Sequence, residues 1–332
     1  MSEHGMLEHG GRVRAAAQRY GIPESDWLDL STGINPDSWP VPAMPQEIWR
    51  CLPQDDDELS DAAQDYYGTP QLLPVAGSQA AIQALPRVRA PGRVAVVNPS
   101  YTEHARAWRQ HGHQVTAMFA AEVLRVGDDV HVVLIVNPNN PSGKLFSREE
   151  LLQLHERLAA RGGWLVVDEA FMDANPEHSL APECPRAGLI VLRSVGKFFG
   201  LAGARVGFVL AEHKLLRALA GMLGPWPIAA PARHVTALAL RDSAWQQQAR
   251  HALAQAAQRL SGLLTRHGLA PDGGCSLFQW VRRDDAANLH EQLARRGIFT
   301  RLFAQPPSVR FGLPREEAQW ARLDTALSEL QR

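Results

Sequence analysis

The residues with the clearest chemical potential are Ser194-Val195-Gly196-Lys197, with Arg205 eight positions beyond the lysine. They follow the apolar run LIVLR at residues 189–193. A lysine leaving the end of such a strand lies where open α/β sheets place their ligands. Desolvated beside other cations, its amine can lose a proton and attack an aldehyde. Ser194 and Arg205 could hold a phosphate nearby. A lone lysine in a turn is usually a surface residue, so this reading depends on its partners.

Asp168 ends a second apolar run, WLVVD, and is followed by Glu169-Ala170-Phe171. A buried aspartate facing a pyridine nitrogen would keep that nitrogen protonated and the ring electron-poor. A helix cap or a metal ligand is the structural alternative, although no acidic or histidine cluster lies nearby in sequence. Asn137-Pro138-Asn139-Asn140-Pro141-Ser142-Gly143 reads as a rigid turn after a third run, HVVLIVN. Beyond shaping the turn, Asn140 could donate to an anionic ring oxygen. Ala76-Gly77-Ser78-Gln79 opens a helical pattern and could offer backbone N–H groups to a phosphate. Asn98-Pro99-Ser100-Tyr101 puts an aromatic ring just past a strand end, as packing or as a platform.

Alternating apolar strands and helical patterns must position these groups. Strands are expected at residues 93–98, 131–137, 164–168, 189–193 and 206–210, with a helix at 147–161. Unbroken apolar strands suit a mostly parallel sheet covered on both faces. A long Ala, Leu and Gln-rich helical region at 231–267 is interrupted near Asp242. Strands at 277–282, 298–303 and 309–313 and helices at 286–296 and 316–331 then suggest a compact α+β tail, entered at Asp272-Gly273-Gly274. The first stretch, rich in Gly, Pro and polar residues, reads as an arm with little helix.

The 332 residues carry a net charge of -1, which leaves no electrostatic footprint for nucleic acid or an acidic membrane. Cys51, Cys184 and Cys275 are scattered, without metal-ligand spacing, and read as reduced cytoplasmic thiols. The start MSEHGMLEHG lacks the apolar core of a signal peptide, and no apolar run approaches a membrane span. No metal site is expected.

Taken together and in this order, the five motifs resemble the fold-type I pyridoxal 5'-phosphate (PLP) enzymes of the class I/II aminotransferase superfamily. The resemblance covers nearly the whole chain. It implies an α/β fold, with a large domain on a mostly parallel central sheet and a smaller α+β domain. The implied organisation is an N-terminal arm at 1–45 that contributes to the small domain and active site, a PLP-binding domain at 46–230, and a linking helix with the small domain at 231–332. Lys197 is implied to be the Schiff-base lysine, Asp168 the partner of the pyridine nitrogen, and Asn140 that of the ring oxygen. Tyr101 would stack on the ring, Ser78, Gln79, Ser194 and Arg205 would surround the phosphate, and Arg310 in SVRFGL would grip a substrate carboxylate. A homodimer is also implied.

Within the superfamily the chain resembles the branch that includes histidinol-phosphate aminotransferases and threonine-phosphate decarboxylases. The likeness is carried by His9-Gly10-Gly11, Leu28-Asp29-Leu30-Ser31 and Ile34-Asn35-Pro36. It implies that His9, Gly11, Asn35 and Arg301 (in IFTRLF) help receive a substrate phosphate. Phe171 stands where aminotransferases of this group commonly carry a tyrosine, which removes a hydroxyl donor and resembles the decarboxylases. The implied reaction is decarboxylation of L-threonine O-3-phosphate to (R)-1-amino-2-propanol O-2-phosphate, in cobalamin biosynthesis. Transamination of histidinol phosphate or a related amino acid is the alternative, and a non-catalytic binding protein is a third. Gly196 and Leu52 depart from the branch, where Ser or Thr and a tyrosine often help hold the cofactor phosphate.

Overall fold

Five consecutive β-branched or leucine residues, Val132–Val136, are all buried and form a central strand. Such a run has two apolar faces and must be covered on both. The computed structural model describes residues 10–330. It divides into two compact units. One holds the chain up to Asp37, the short piece Pro141–Gly143, and the chain from Ala252 onward; the other holds Ser38–Asn140 and Lys144–His251.

In chain order, the first unit begins with α1 (Val13–Tyr20) and β1 (Leu28–Asp29). The second unit supplies α2 (Glu58–Tyr67), β2 (Leu72–Val75), α3 (Ser78–Ala84), β3 (Arg93–Val97), α4 (Thr102–Gln110), β4 (Gln114–Met118) and α5 (Ala120–Val123). It continues with β5 (Val132–Val136), α6 (Arg148–Ala159), β6 (Trp164–Asp168), β7 (Leu189–Ser194), β8 (Gly207–Leu210), α7 (His213–Leu223) and α8 (Ala230–Arg241). Helix α9 (Ser243–Arg266) is followed by β9 (Gly273–Cys275), β10 (Phe278–Arg282), α10 (Ala286–Ala294), β11 (Ile298–Phe299), β12 (Arg301–Ala304), β13 (Pro307–Gly312) and α11 (Glu317–Glu329).

The second unit is built on a seven-stranded sheet in the order β2-β8-β7-β6-β5-β3-β4. Strands β7, β6, β5, β3 and β4 are parallel, and β8 runs antiparallel to both its neighbours. One face carries Val94, Val96, Val132, Leu134, Val166, Ile190 and Leu192, which share a core with Ile82, Leu85, Trp108 and Leu219 from α3, its continuation and helices α4 and α7. The intervening Val133, Ile135, Val167 and Val191 are also buried. The large α/β unit with a mostly parallel sheet thus forms as the sequence suggests.

Local signals explain the boundaries. Ser147 caps α6 through a reciprocal bond pair with Glu150. The break at Asp242 arises because its Oδ1 accepts from the Trp245 N–H at 3.0 Å and its Oδ2 from Trp39 Nε1 at 3.0 Å. Two expectations differ. The leading stretch contains α1, about two turns of Ala-rich helix closed by the left-handed Gly21. The run at 298–303 splits into β11 and β12 around Thr300, whose hydroxyl bonds His290 Nδ1 at 2.8 Å.

The first unit carries a four-stranded sheet, β12-β13-β10-β9, and a parallel pairing of β1 with β11. Its antiparallel register sets Arg301 directly opposite Arg310.

Candidate active site

In parallel strands all C-terminal ends lie on one edge. That edge receives Asp168 from β6 and Ser194 from β7, with Tyr101 following β3 and Asn140 following β5. Register fixes the depth: Val136 pairs with Asp168, and Asp168 with Leu192. Side chains alternate across a strand, so Asp168 shares the face of Val166, and Ser194 that of Ile190 and Leu192. Helix α4 covers that face.

Asp168 is 3% exposed. Its Oδ2 lies 2.8 Å from Nε2 of the equally buried His104, and its Oδ1 accepts the Ala170 N–H at 3.1 Å. A carboxylate can only accept, so the geometry assigns the proton to His104 Nε2. His104 was not expected from the sequence. Its signal is the spacing of three from Tyr101, which sets both on one side of α4; their rings meet edge-on at 6.2 Å.

Tyr101 is held by its own chain of bonds. Its hydroxyl donates to Gln79 Oε1 at 3.1 Å, while Gln79 Nε2 donates to the buried Glu103 at 3.1 Å. Burial, then Glu103 and Asp168, push that hydroxyl up to about 12, so it stays a donor through the neutral range. The Gln79 side chain is therefore engaged with Tyr101 and Glu103, which leaves its backbone N–H as the group for an anion.

Lys197 is half-buried on the loop between β7 and β8, its Nζ 5.7 Å from the centroid of the buried Phe171 ring. A phenyl face there stabilises a cationic amine without offering it a hydrogen-bond acceptor. On the same loop Arg205 adopts a left-handed backbone, φ 53° and ψ 48°. Its guanidinium rests on Gly77, where a Cβ would stand 2.6 Å from the nearer terminal nitrogen. Gly77, at φ 73° and ψ 156°, occupies a region open almost only to glycine and begins α3 with no side-chain cap. The Ser194 hydroxyl accepts the Gly196 N–H at 3.3 Å.

These groups fit PLP on chemical grounds. The uncapped start of α3 beside Arg205, with Ser194, suits its phosphate; the Asp168–His104 pair suits its ring nitrogen; Lys197 suits its aldehyde. One of the two departures has a local cause. A Cβ at Gly196 would meet the Ala202 Cα at 3.2 Å, so any side chain there is crowded. Leu52 is 63% exposed, and nearby Asp57 is occupied by both Arg233 donors, at 2.5 and 2.6 Å.

The first unit gathers the other candidates. Ser31 is the junction: its Oγ accepts the Gly11 N–H at 2.7 Å and donates to Asp29 at 2.6 Å, while its carbonyl accepts from Arg310 at 2.9 Å. Asn35 is buried and its Oδ1 accepts the Asp37 N–H at 2.9 Å. Burial, then the facing Arg301, pushes the Arg310 guanidinium down to about 10. Two cations opposed across a strand pair are unfavourable unless an anion joins them. His9 lies outside the described residues. No cluster of three metal-ligating side chains occurs among the described residues.

Residues 25–323 match the family described as aminotransferase class I and II. The chain belongs to this family. Over 97% of both chains it is 59% identical to a threonine-phosphate decarboxylase of Pseudomonas aeruginosa. It is 42% identical to a threonine-phosphate decarboxylase of a Sinorhizobium species, over 98% of both chains. The solved structure of histidinol-phosphate aminotransferase from Sinorhizobium meliloti, in complex with pyridoxal-5'-phosphate, superposes with a TM-score of 0.84 at 21% identity, covering 99% of this chain and 98% of that one. The fold of this aminotransferase-family chain is therefore the one its motifs implied.

Proposed function

We propose that this chain is a PLP-dependent decarboxylase that converts L-threonine O-3-phosphate to (R)-1-amino-2-propanol O-2-phosphate and CO2, a step of cobalamin biosynthesis. The observation that carries the reading is the 59% identity to a threonine-phosphate decarboxylase along 97% of each chain. The Lys197, Asp168 and Arg205 arrangement supports it.

When bound, the cofactor supplies an electron sink for the pair released at Cα. Lys197 would hold it through Nζ, Arg205, Ser194 and the N–H groups of Ser78 and Gln79 its phosphate, Asn140 its ring oxygen, and Tyr101 its ring. Asp168, accepting from His104, would hold a proton on the ring nitrogen. Arg301, Arg310 and Asn35, with His9 and Gly11, receive the substrate's anionic groups. Holding the phosphate at a distance from the reacting carbon turns binding energy into orientation of the carboxylate. The bond from Cα to the carboxylate would break and CO2 leave, and Lys197 Nζ, released from the cofactor by the substrate amine and protonated, would then give a proton to Cα.

In this reading the enzyme is a cytoplasmic homodimer. Trp49 and Leu52, 65% and 63% exposed, are apolar surface that a second copy would cover. No helix among the described residues is long and apolar enough to cross a membrane.

Threonine phosphate labelled in its carboxylate tests the reaction. Label should appear as CO2 with no keto acid added. Label retained in a keto acid product, with the cofactor converted to its amine form, would make the protein an aminotransferase.

A further inference from the structure

The face of the sheet opposite Asp168 and Ser194 holds a buried charge cluster that the proposed mechanism does not use. Arg193 precedes Ser194 and Glu169 follows Asp168, so alternation turns both away from the cofactor-facing residues. The Glu169 N–H still donates to the Leu192 carbonyl at 2.9 Å, which continues the ladder beyond β6. One terminal nitrogen of Arg193 donates to Glu169 at 2.6 Å and to Ser179 at 3.1 Å, and the other donates to Asp173. Glu169 also accepts the Leu180 N–H at 2.7 Å, and Asp173 accepts from Tyr66 at 3.0 Å. Arg193 is 2% exposed, and both carboxylates are fully buried.

We propose that Arg193 is a positioning residue for the cofactor pocket, its guanidinium fork fixing the chain next to Asp168, Phe171 and Ser194 at once. Each anchor of the fork is one or two residues from a group that faces the cofactor: Glu169 from Asp168, Asp173 from Phe171, and Arg193 itself from Ser194. The planar fork holds two carboxylates at a set separation, which lysine cannot reproduce. Stability alone is a poor reason for such a cluster. Buried ion pairs are commonly matched or bettered by apolar side chains of the same volume, and their attested use is to specify geometry. Burial pushes the Glu169 carboxyl up, and Arg193 opposes that shift.

This inference rests on the PLP assignment, and the test separates the two. Glu169→Gln and Arg193→Lys holoenzymes are compared with the parent for thermal midpoint, PLP release on dilution, and the pH midpoint of the visible absorbance. Both variants should fold, release PLP about tenfold faster, and titrate at a displaced pH, Arg193→Lys more than Glu169→Gln. A variant that only melts lower, while releasing PLP and titrating like the parent, would leave Arg193 a structural residue and overturn the proposal. Loss of the fold in both variants would overturn it equally. If Arg193→Lys alone fails to fold, Glu169→Gln decides. A parent that binds no PLP would instead remove the cofactor assignment itself.

Discussion

His104 Nε2 stands 2.8 Å from Asp168 Oδ2, and the two side chains are only 6% and 4% exposed. A buried hydrogen bond to a charged group is worth about 1.5–3 kcal/mol. His104→Leu should therefore lower kcat roughly ten- to a hundredfold and displace its pH profile. His104→Gln, which can still donate, should recover part of the loss. A pH profile identical to the parent's in His104→Leu would reduce His104 to packing.

Lys197→Ala should abolish covalent attachment of PLP. Borohydride reduction followed by peptide mass spectrometry reads this directly, with the cofactor mass expected on the peptide containing Lys197. Finding it on another lysine would displace the whole site.

Gly77→Ala should weaken PLP binding. The new Cβ meets the Arg205 guanidinium at 2.6 Å, and the backbone at φ 73° is strained for any other residue, by about 1–3 kcal/mol. Gly203→Ala, with nothing within 4 Å of its Cβ, is the control. Fluorescence titration with PLP should show weakened binding for Gly77→Ala and the parent's binding for Gly203→Ala; equal behaviour would separate Gly77 from the phosphate.

Binding of a simple carboxylate to the holoenzyme should weaken about tenfold or more in Arg310→Gln, because the buried guanidinium is the charged partner assigned to the substrate carboxylate. Arg301→Gln, which removes the cation opposite Arg310, should weaken binding of a simple alkyl phosphate more than that of the carboxylate. Calorimetry that finds carboxylate affinity unchanged in Arg310→Gln would exclude Arg310 as an anion receptor.

The sequence made the buried framework legible because β5, β6 and β7 are unbroken apolar runs with chemistry at their ends. Lys197, Asp168, Tyr101 and Arg205 stand out by type and position alone. The edge strand β4 did not, because its residues are mostly exposed and carry no alternating apolar signal. His104 and Glu103 look like polar residues of an ordinary surface helix; only the docking of α4 on the sheet shows that they are buried. Gln79 was assigned to a phosphate from its place after Gly77-Ser78, whereas its side-chain partners, Tyr101 and Glu103, lie more than a helical turn away in sequence and become neighbours through packing.

The loop carrying Lys197 and Arg205 is closed at its base, where Ser194 pairs with Gly207 and the Val195 N–H reaches the Val206 carbonyl at 3.3 Å. The loop therefore starts and ends at one point of the sheet, while Arg205 is seated on Gly77 and Lys197 lies against Phe171. A residue inserted between Lys197 and Arg205 should pull one of the two off its seat, whereas one inserted at the exposed turn around Asp128 leaves both seats in place.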